Sequence, residues 1–566
     1  MLMVAMRLSN RRYARAVDDA PGEPESPSVS AAVMRNSMSG SVWTVVSRVV
    51  GLAKVIAVGA VLGATYLGNT YQAINSLPNL VYYQLLAGSL FASLLVPPLV
   101  QYLDAGNRRR ARRLVGGFLG VLLLIATVIS VILIAIGPLI MRLLTLGVSD
   151  RVTAAAQSRL GWLLLVMFLP QIALYVIAGI GAAVMNAHGR FALAAAAPAL
   201  ESLGMIAVLI TAGVLFGTRT EIAHLPRSEL LLLGLGTTSA VALHAACQWW
   251  GARSSGLALS PEMGWRDREV RRILRRIVPT LGFTALAALQ IFAVMVVANR
   301  VPGGLVAFQL ALNFFYLPTA VVTWPIGRAL LPQLSRLHAA GDGRLFRNEL
   351  LRAITVASFV TIPTALVYIT LSGQLAHALA FGQLGRSDGP RFMALSLAAL
   401  APAVVGEAWF TLGTYAFYSR HDVRTPVRAM VIRVSVSLSC MAIAWQVRGP
   451  ALLVLLGVAF SLGSLVGAAY IGWRLRRQLP RTEQSLLRPL ARTAVAAAIM
   501  VVPTYLVTLV LHGLPGTKPA RLLAFSSAAL IGAAVFLGVQ AAWRAPELGW
   551  LKDGLIRTRL PARFRR

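Results

Sequence analysis

Acidic residues are scarce: 20 Asp and Glu stand among 566 residues, against 53 Lys and Arg, and only 13% of the chain is charged. A soluble protein carries about 25% charged residues, so this composition excludes an ordinary water-soluble domain of comparable size. Cysteine is nearly absent. Cys247 and Cys440 are the two present, far apart in sequence and both inside apolar stretches, so no disulfide framework or cysteine metal site follows. The seven histidines are scattered and mostly fall in predicted loops. No paired-histidine metal motif with an acid, no Asp-rich metal motif, no Gly-x-Ser-x-Gly elbow and no Walker loop is present. No cluster of acids, histidines and arginines at a span end can be assembled from the sequence. The chain therefore reads as a non-enzyme needing no cofactor and no metal, and an ATP-driven pump is excluded for this chain alone.

Apolar residues are what the chain has. They make up 57% of it, and the mean hydropathy is +0.71. Apolar stretches of about 20 residues recur along the sequence, the length needed to cross a hydrocarbon core of about 30 Å. They are continuous rather than alternating, which selects helices over a barrel. Fourteen spans are predicted: 41–63, 75–102, 115–141, 160–184, 191–216, 229–250, 278–299, 305–332, 353–374, 392–417, 427–447, 450–473, 493–512 and 522–543. The fold class is an all-α integral membrane protein. The opening Met1–Arg12 has only a short apolar run ahead of its arginines and predicts no cleavable signal. Residues 1–40, broken by Pro and Ser, read as a disordered basic cytoplasmic arm.

The net charge of +33 sits in the loops. With the N-terminus in the cytoplasm, loops on the cytoplasmic side hold 38 Lys and Arg and those on the other side 11. That asymmetry predicts a plasma-membrane protein with both termini cytoplasmic, and it makes anionic lipid head groups the partner of the basic loops. Nucleic acid is not an expected partner, because no nucleic-acid motif accompanies the charge.

Part of the chain echoes itself. Leu77-Pro78 reappears as Leu317-Pro318, and Pro97-Pro98-Leu99 with Ala105-Gly106-Asn107 resembles Pro332-Gln333-Leu334 with Ala340-Gly341-Asp342. Both copies keep the same order and end in a basic loop. Two six-helix lobes related by a pseudo-two-fold axis along the membrane normal follow, with two further C-terminal helices. The expected organisation is an N-terminal lobe over 41–252, a basic linker over 253–277, a C-terminal lobe over 278–476, spans 13 and 14 over 477–545, and a basic tail over 546–566.

Six charges fall inside spans: Arg48, Lys54, Arg328 and Arg433, and the acids Glu201 and Glu407. Each costs about 2.5–3.5 kcal/mol if it faces lipid, so each is expected to face the bundle interior or a hydrated cavity. Arg48 and Lys54 are six residues apart, about 120° around a helix, so they do not share a stripe. Arg433 and Arg328 lie about one turn from a cytoplasmic helix end, where snorkelling is an alternative. Glu201 is open to three roles: taking up a proton, pairing with a cation, or bonding between helices.

Several patches resemble the MurJ (MviN) lipid II flippases of the multidrug/oligosaccharidyl-lipid/polysaccharide exporter superfamily. They are Ser47-Arg48-Val49-Val50-Gly51; Leu77-Pro78-Asn79-Leu80 with Gly88 and Val96-Pro97; Asn186-Ala187-His188-Gly189-Arg190-Phe191 through Pro198; Leu330-Leu331-Pro332-Gln333-Leu334-Ser335; and Ala416-Phe417-Tyr418-Ser419-Arg420-His421-Asp422-Val423-Arg424-Thr425-Pro426-Val427. The resemblance implies two lobes around a central cavity, alternating access, and translocation of a polyprenyl-pyrophosphate-linked glycan for peptidoglycan biosynthesis. Cell-wall synthesis proteins are the protein partners it implies. It also implies Arg48, Lys54, Asn69 and Asn313 as substrate-binding positions; Arg328 is a further substrate-binding candidate that partly offsets the cations the cavity lacks, and Glu201 and Glu407 are coupling or structural acids by their place inside spans.

The chain departs from the family pattern at several of these places. Lys54 stands where the family usually has Arg, Val55 replaces an adjacent Asp, and Asn69 stands where Asp is common. Tyr82 and Tyr83 replace a basic pair, Ala87 replaces a Glu, and Asn313 falls where a cavity Arg is expected. Alternatives to the lipid II reading are export of another lipid-linked polysaccharide, small-solute antiport within the same superfamily, and a non-transporting envelope scaffold.

Overall fold

The computed structural model describes residues 27–82, 88–217, 222, 225–511 and 517–549, with side chains described except at 27–41, 88–93, 276–280 and 518. Tyr83 and Ala87 lie outside the described residues, as does most of the N-terminal arm and of the basic tail.

The described elements are helices: α1 Pro27–Leu62, α2 Tyr66–Leu80, α3 Gly88–Asp104, α4 Arg108–Leu144, α5 Arg151–Phe168, α6 Pro170–Ala187, α7 Phe191–Phe216 and α8 Arg227–Ser254. After a short 3-10 turn at Gly264–Arg266 come α9 Arg268–Ala298, α10 Gly304–Pro318, α11 Trp324–Ala339, α12 Gly343–Leu379, the short α13 Gly382–Arg386, α14 Gly389–Ser419, α15 Arg424–Ala444, α16 Pro450–Gln478, α17 Leu487–Val510 and α18 Lys518–Ala542. Among the described residues, thirteen helical stretches are long and apolar enough to cross a membrane. They match thirteen of the fourteen predicted spans. The other, 75–102, falls on α2 and α3, whose junction includes residues that are not described. α1 begins at Pro27, earlier than the predicted end of the arm at residue 40. Proline fits the first helical turn, and the rest of α1 contains no other proline.

The few acids have defined work in the loops. Asp150, Asp267 and Asp342 accept backbone N–H bonds at the starts of α5, α9 and α12. Asp422 accepts from Thr425 N at 3.0 Å and Thr425 Oγ1 at 2.6 Å where α15 begins. Each such cap is worth about 1 kcal/mol.

The packing repeats. α1 lies on α7, as α9 lies on α15; α6 on α8, as α14 on α16; α7 on α8, as α15 on α16; α3 and α4 on α6, as α10, α11 and α12 on α14. Counted in spans, every pairing in the first lobe recurs six spans later. α17 and α18 pack on each other and against α12, as an appendix to the second lobe. Lipid provides no hydrophobic drive between helices, so small residues set the close approaches. A Cβ at Gly181 of α6 would meet Gln248 O of α8 at 2.7 Å, and one at Gly406 of α14 would meet Leu465 N of α16 at 3.0 Å. The same small-residue device thus joins the fourth and sixth spans of each lobe. The Leu-Pro echo is structural too. Pro78 and Pro318 both lie just before a π-helical turn, at 81–82 and at Thr319–Thr323. A proline inside a helix removes one backbone bond and crowds the preceding turn; at Pro318 the carbonyl left without that bond, Phe314 O, accepts from Tyr368 OH at 2.8 Å.

Candidate functional site

At one end of the bundle the lobes are bound together by buried amides. Asn69 on α2 is fully buried. Its Nδ2 donates to Val301 O at 2.8 Å, and its Oδ1 accepts from Leu305 N at 3.0 Å and Val306 N at 3.4 Å, at the start of α10. Gln157 of α5 and Asn299 exchange reciprocal amide bonds at 3.3 Å, and Asn299 also donates to Leu144 O at 2.8 Å. Arg300 donates to Trp445 O at 2.7 Å and lies 4.2 Å from the Trp445 ring centroid. Beside them, the short α13 packs on α1. We refer to this region as the seal.

The expected cations lie away from it. Arg48 precedes Gly59, where an added Cβ would meet Leu384 of α13, by eleven residues, or about 16 Å of helix. Its guanidinium is exposed and sits 5.8 Å from the ring of Trp324, across the interlobe boundary on α11. Arg328 lies one turn further along the same face of α11 and is exposed. Asn313, on α10, is half-buried and donates to Gln309 O at 2.8 Å within its own helix. The structure therefore brings Arg48 and Arg328 to one interlobe face. It places Asn69 elsewhere, in the seal, with both ends of its amide bonded.

Lys54 turns another way, as the 120° spacing from Arg48 requires. Its Nζ lies 4.0 Å from Glu201 Oε1 on α7. Glu201 is only 7% exposed. It also accepts from Tyr175 OH at 2.9 Å and faces His244 Nδ1 at 2.9 Å. Tyr175 in turn stacks on Tyr82, with ring centroids 5.3 Å apart. Three helices of the first lobe, α1, α6 and α8, thus converge on one carboxylate carried by α7.

The second lobe holds a simpler pair. Arg433 Nη1 donates to Glu407 Oε2 at 2.6 Å, and its guanidinium lies 5.1 Å from the Phe410 ring and 5.4 Å from the Phe460 ring. Arg433 is buried, so snorkelling is not what this side chain does here. Removing one member of such a buried pair strands the other charge and costs about 3–5 kcal/mol, whereas replacing both is tolerated far better. Glu407→Ala is expected to lower the thermal unfolding midpoint of the detergent-purified protein, and Glu407→Ala with Arg433→Met to recover most of it. A single variant as stable as the wild type would remove the pair from the protein's stability.

The model of the family described as lipid II flippase MurJ matches residues 58–524. The chain belongs to the MurJ lipid II flippase family. A Vibrio cholerae relative described as "Probable lipid II flippase MurJ" is 25% identical over 486 residues, covering 83% of this chain and 88% of its own. The Burkholderia cenocepacia lipid II flippase MurJ is 25% identical over 456 residues, covering 78% and 84%. Among solved structures, a lipid II flippase MurJ in an inward closed conformation superposes with a TM-score of 0.69 at 17% identity, over 89% of this chain and 98% of that one. An inward-facing MATE family multidrug transporter of the MOP superfamily gives 0.61 at 14%, over 76% and 94%. These superpositions establish the MurJ-like fold.

One of the MurJ-like patches has a local structural reason in this chain. The Tyr418–Val427 patch is a tight helix-to-helix turn. In it His421 takes φ 61, Asp422 bonds Thr425, and Arg420 donates to Gln478 Oε1 at 2.8 Å. Sequence reasoning missed His244, Tyr175, Trp324 and the Gln157–Asn299 pair. His244 was overlooked because a single histidine in an apolar span has no local pattern. Its partner stands 43 positions away in sequence. A buried acid in a span does demand a partner, and that signal could have prompted a search of neighbouring spans for His244.

Proposed function

We propose that this protein translocates a polyprenyl-pyrophosphate-linked glycan, the lipid II-like precursor of peptidoglycan, from the inner to the outer leaflet by alternating access. The observation that carries this reading is membership of the lipid II flippase family over residues 58–524. The charge placement supports it. A pyrophosphate-sugar head group cannot cross hydrocarbon without a substitute for its water. Arg48 and Arg328 on the interlobe face, with Lys54 deeper, supply cations for that role, while the lipid tail stays in the bilayer. Arginine offers phosphate oxygens a planar fork and lysine a mobile point charge. Glu201 and Glu407 serve as fixed counter-charges within the two lobes. The lobes are taken as 41–252 and 278–476, joined by a basic linker whose Glu269 accepts from Tyr102 OH at 2.5 Å.

In this orientation the seal closes the extracytoplasmic side, because the loops at that end are poor in Lys and Arg. A reporter fused after Arg566 is expected to be active only in the cytoplasm, and activity outside the cell would reject the orientation. The function itself is tested by depleting the protein in its native cell and extracting lipids. A polyprenyl-pyrophosphate disaccharide precursor that accumulates facing the cytoplasm is the expected result. Unchanged precursor pools and sidedness would reject it.

A further inference from the structure

The cluster around Glu201 is more elaborate than a structural ion pair requires. A buried carboxylate needs one counter-ion, and this one has two cationic candidates competing for it: the Lys54 ammonium at 4.0 Å and the His244 imidazole at 2.9 Å. Tyr175 OH, donating to Oε1 at 2.9 Å, holds the carboxylate in place for both. Among the described residues, these three side chains, from α1, α8 and α6, are the titratable groups that meet Glu201. Tyr82 lies behind Tyr175, and the Tyr175 and His244 rings meet edge-on at 6.5 Å.

We propose that His244 is a proton-loading site that decides whether Lys54 is held by Glu201 or released to an anionic substrate. The proposal rests on the reading of Lys54 as a phosphate-recognising group. With His244 neutral, the Nδ1–H tautomer donates to Glu201, and Lys54 is the only full positive charge beside the carboxylate. When a proton adds to the Nε2 lone pair of His244, Nδ1–H goes on donating to Glu201 and the ring becomes the nearer counter-ion. No other bond forms or breaks. The carboxylate no longer needs Lys54, which is partly exposed on a flexible stem. Proton uptake raises the net charge of the cluster by one, and a bound pyrophosphate favours that change. Linkage makes the effect reciprocal: a proton loaded on His244 strengthens anion binding by the factor with which the anion strengthens proton binding. Load and proton would enter the first lobe together.

The test uses the full-length protein in lipid nanodiscs and a disaccharide joined by pyrophosphate to a short prenyl chain. That pyrophosphate is esterified at both ends, so its own charge does not change near neutral pH. Wild-type affinity is expected to rise as the pH is lowered, by up to about tenfold for each pH unit, the limit for uptake of one proton. His244→Gln and Glu201→Gln are expected to flatten that slope. A pH-independent wild type, or a His244→Gln variant that keeps the wild-type slope, overturns the proposal. A second measurement needs no ligand. Imidazole nitrogen-15 spectra, with His244 assigned through His244→Gln, should show more imidazolium at His244 in Lys54→Met than in wild type at the same pH, because Glu201 has lost its other counter-ion. An unchanged His244 signal in Lys54→Met overturns the proton site. A wild type that fails to bind the probe at every pH rejects the substrate reading instead, and the spectra still decide the proton site.

Discussion

Arg48→Ala is expected to abolish head-group translocation, while Arg48→Lys retains part of it. Arg48 is exposed on the interlobe face, with its guanidinium 5.8 Å from the centroid of the Trp324 ring in the opposite lobe. Alanine removes the charge and the planar fork together; lysine keeps the charge alone. Losing a desolvated, charge-assisted contact to a phosphate costs about 2–4 kcal/mol, or roughly 30-fold to several hundred-fold in rate. Lys54→Arg should be tolerated, since the charge is kept on a side chain of similar length, and Lys54→Ala should impair translocation by a comparable factor. A purely orienting role for these cations predicts a different result, namely altered insertion with normal handling of substrate. Membrane abundance, topology and translocation of a labelled lipid-linked disaccharide, measured on the same variants, separate the two. Correctly inserted alanine variants that translocate at the wild-type rate would end the phosphate-recognition assignment.

Gly303→Ala is expected to be nearly as damaging, from a position with no charge at all. Gly303 takes φ +72 immediately before α10, a region that an L side chain adopts only at a cost. A Cβ there would also overlap the backbone of Ala64 in the other lobe. The methyl group would wedge the seal and pull the α10 N-terminus from Asn69, whose three bonds to 301–306 depend on that approach. The state with the seal closed should be lost, and with it turnover, while each lobe still folds. Cysteine cross-linking between the Gly59 and Leu384 positions, where a Cβ at Gly59 would lie 3.5 Å from that of Leu384, in an otherwise cysteine-free protein reads this directly. Cross-linking in Gly303→Ala at the wild-type rate would show that the seal tolerates the methyl group.

Much of the architecture was legible because a bilayer imposes rules that act on local sequence. Span length, loop charge and helix-breaking residues are each readable within a window of about 20 residues. The fourteen spans and the Leu-Pro echo came from such windows. The echo marks the same π-widened turn in both lobes, although the residues that confirm this are spread along two spans. The site was less legible. Asn69 was expected to meet substrate because it stands where the family commonly has an acid. The structure instead commits both ends of its amide to α10, more than 230 positions away in sequence. Arg433 looked able to snorkel by its nearness to a helix end, yet it is buried against Glu407 between two phenyl rings.

The sequence by itself determined that this chain lives in lipid, and that six charges inside the spans needed either an interior partner or a hydrated cavity. Those follow from transfer free energies, which depend on a residue and its immediate neighbours. Only the tertiary structure decided which of these charges are paired, and with what. Lys54 could have faced the interlobe boundary with Arg48. It faces Glu201 because α1 packs on α7, and Glu201 meets His244 because α7 packs on α8. Pairing across helices depends on rotation and crossing of whole elements, which small residues such as Gly181 and Gly406 set at places remote from the charges themselves.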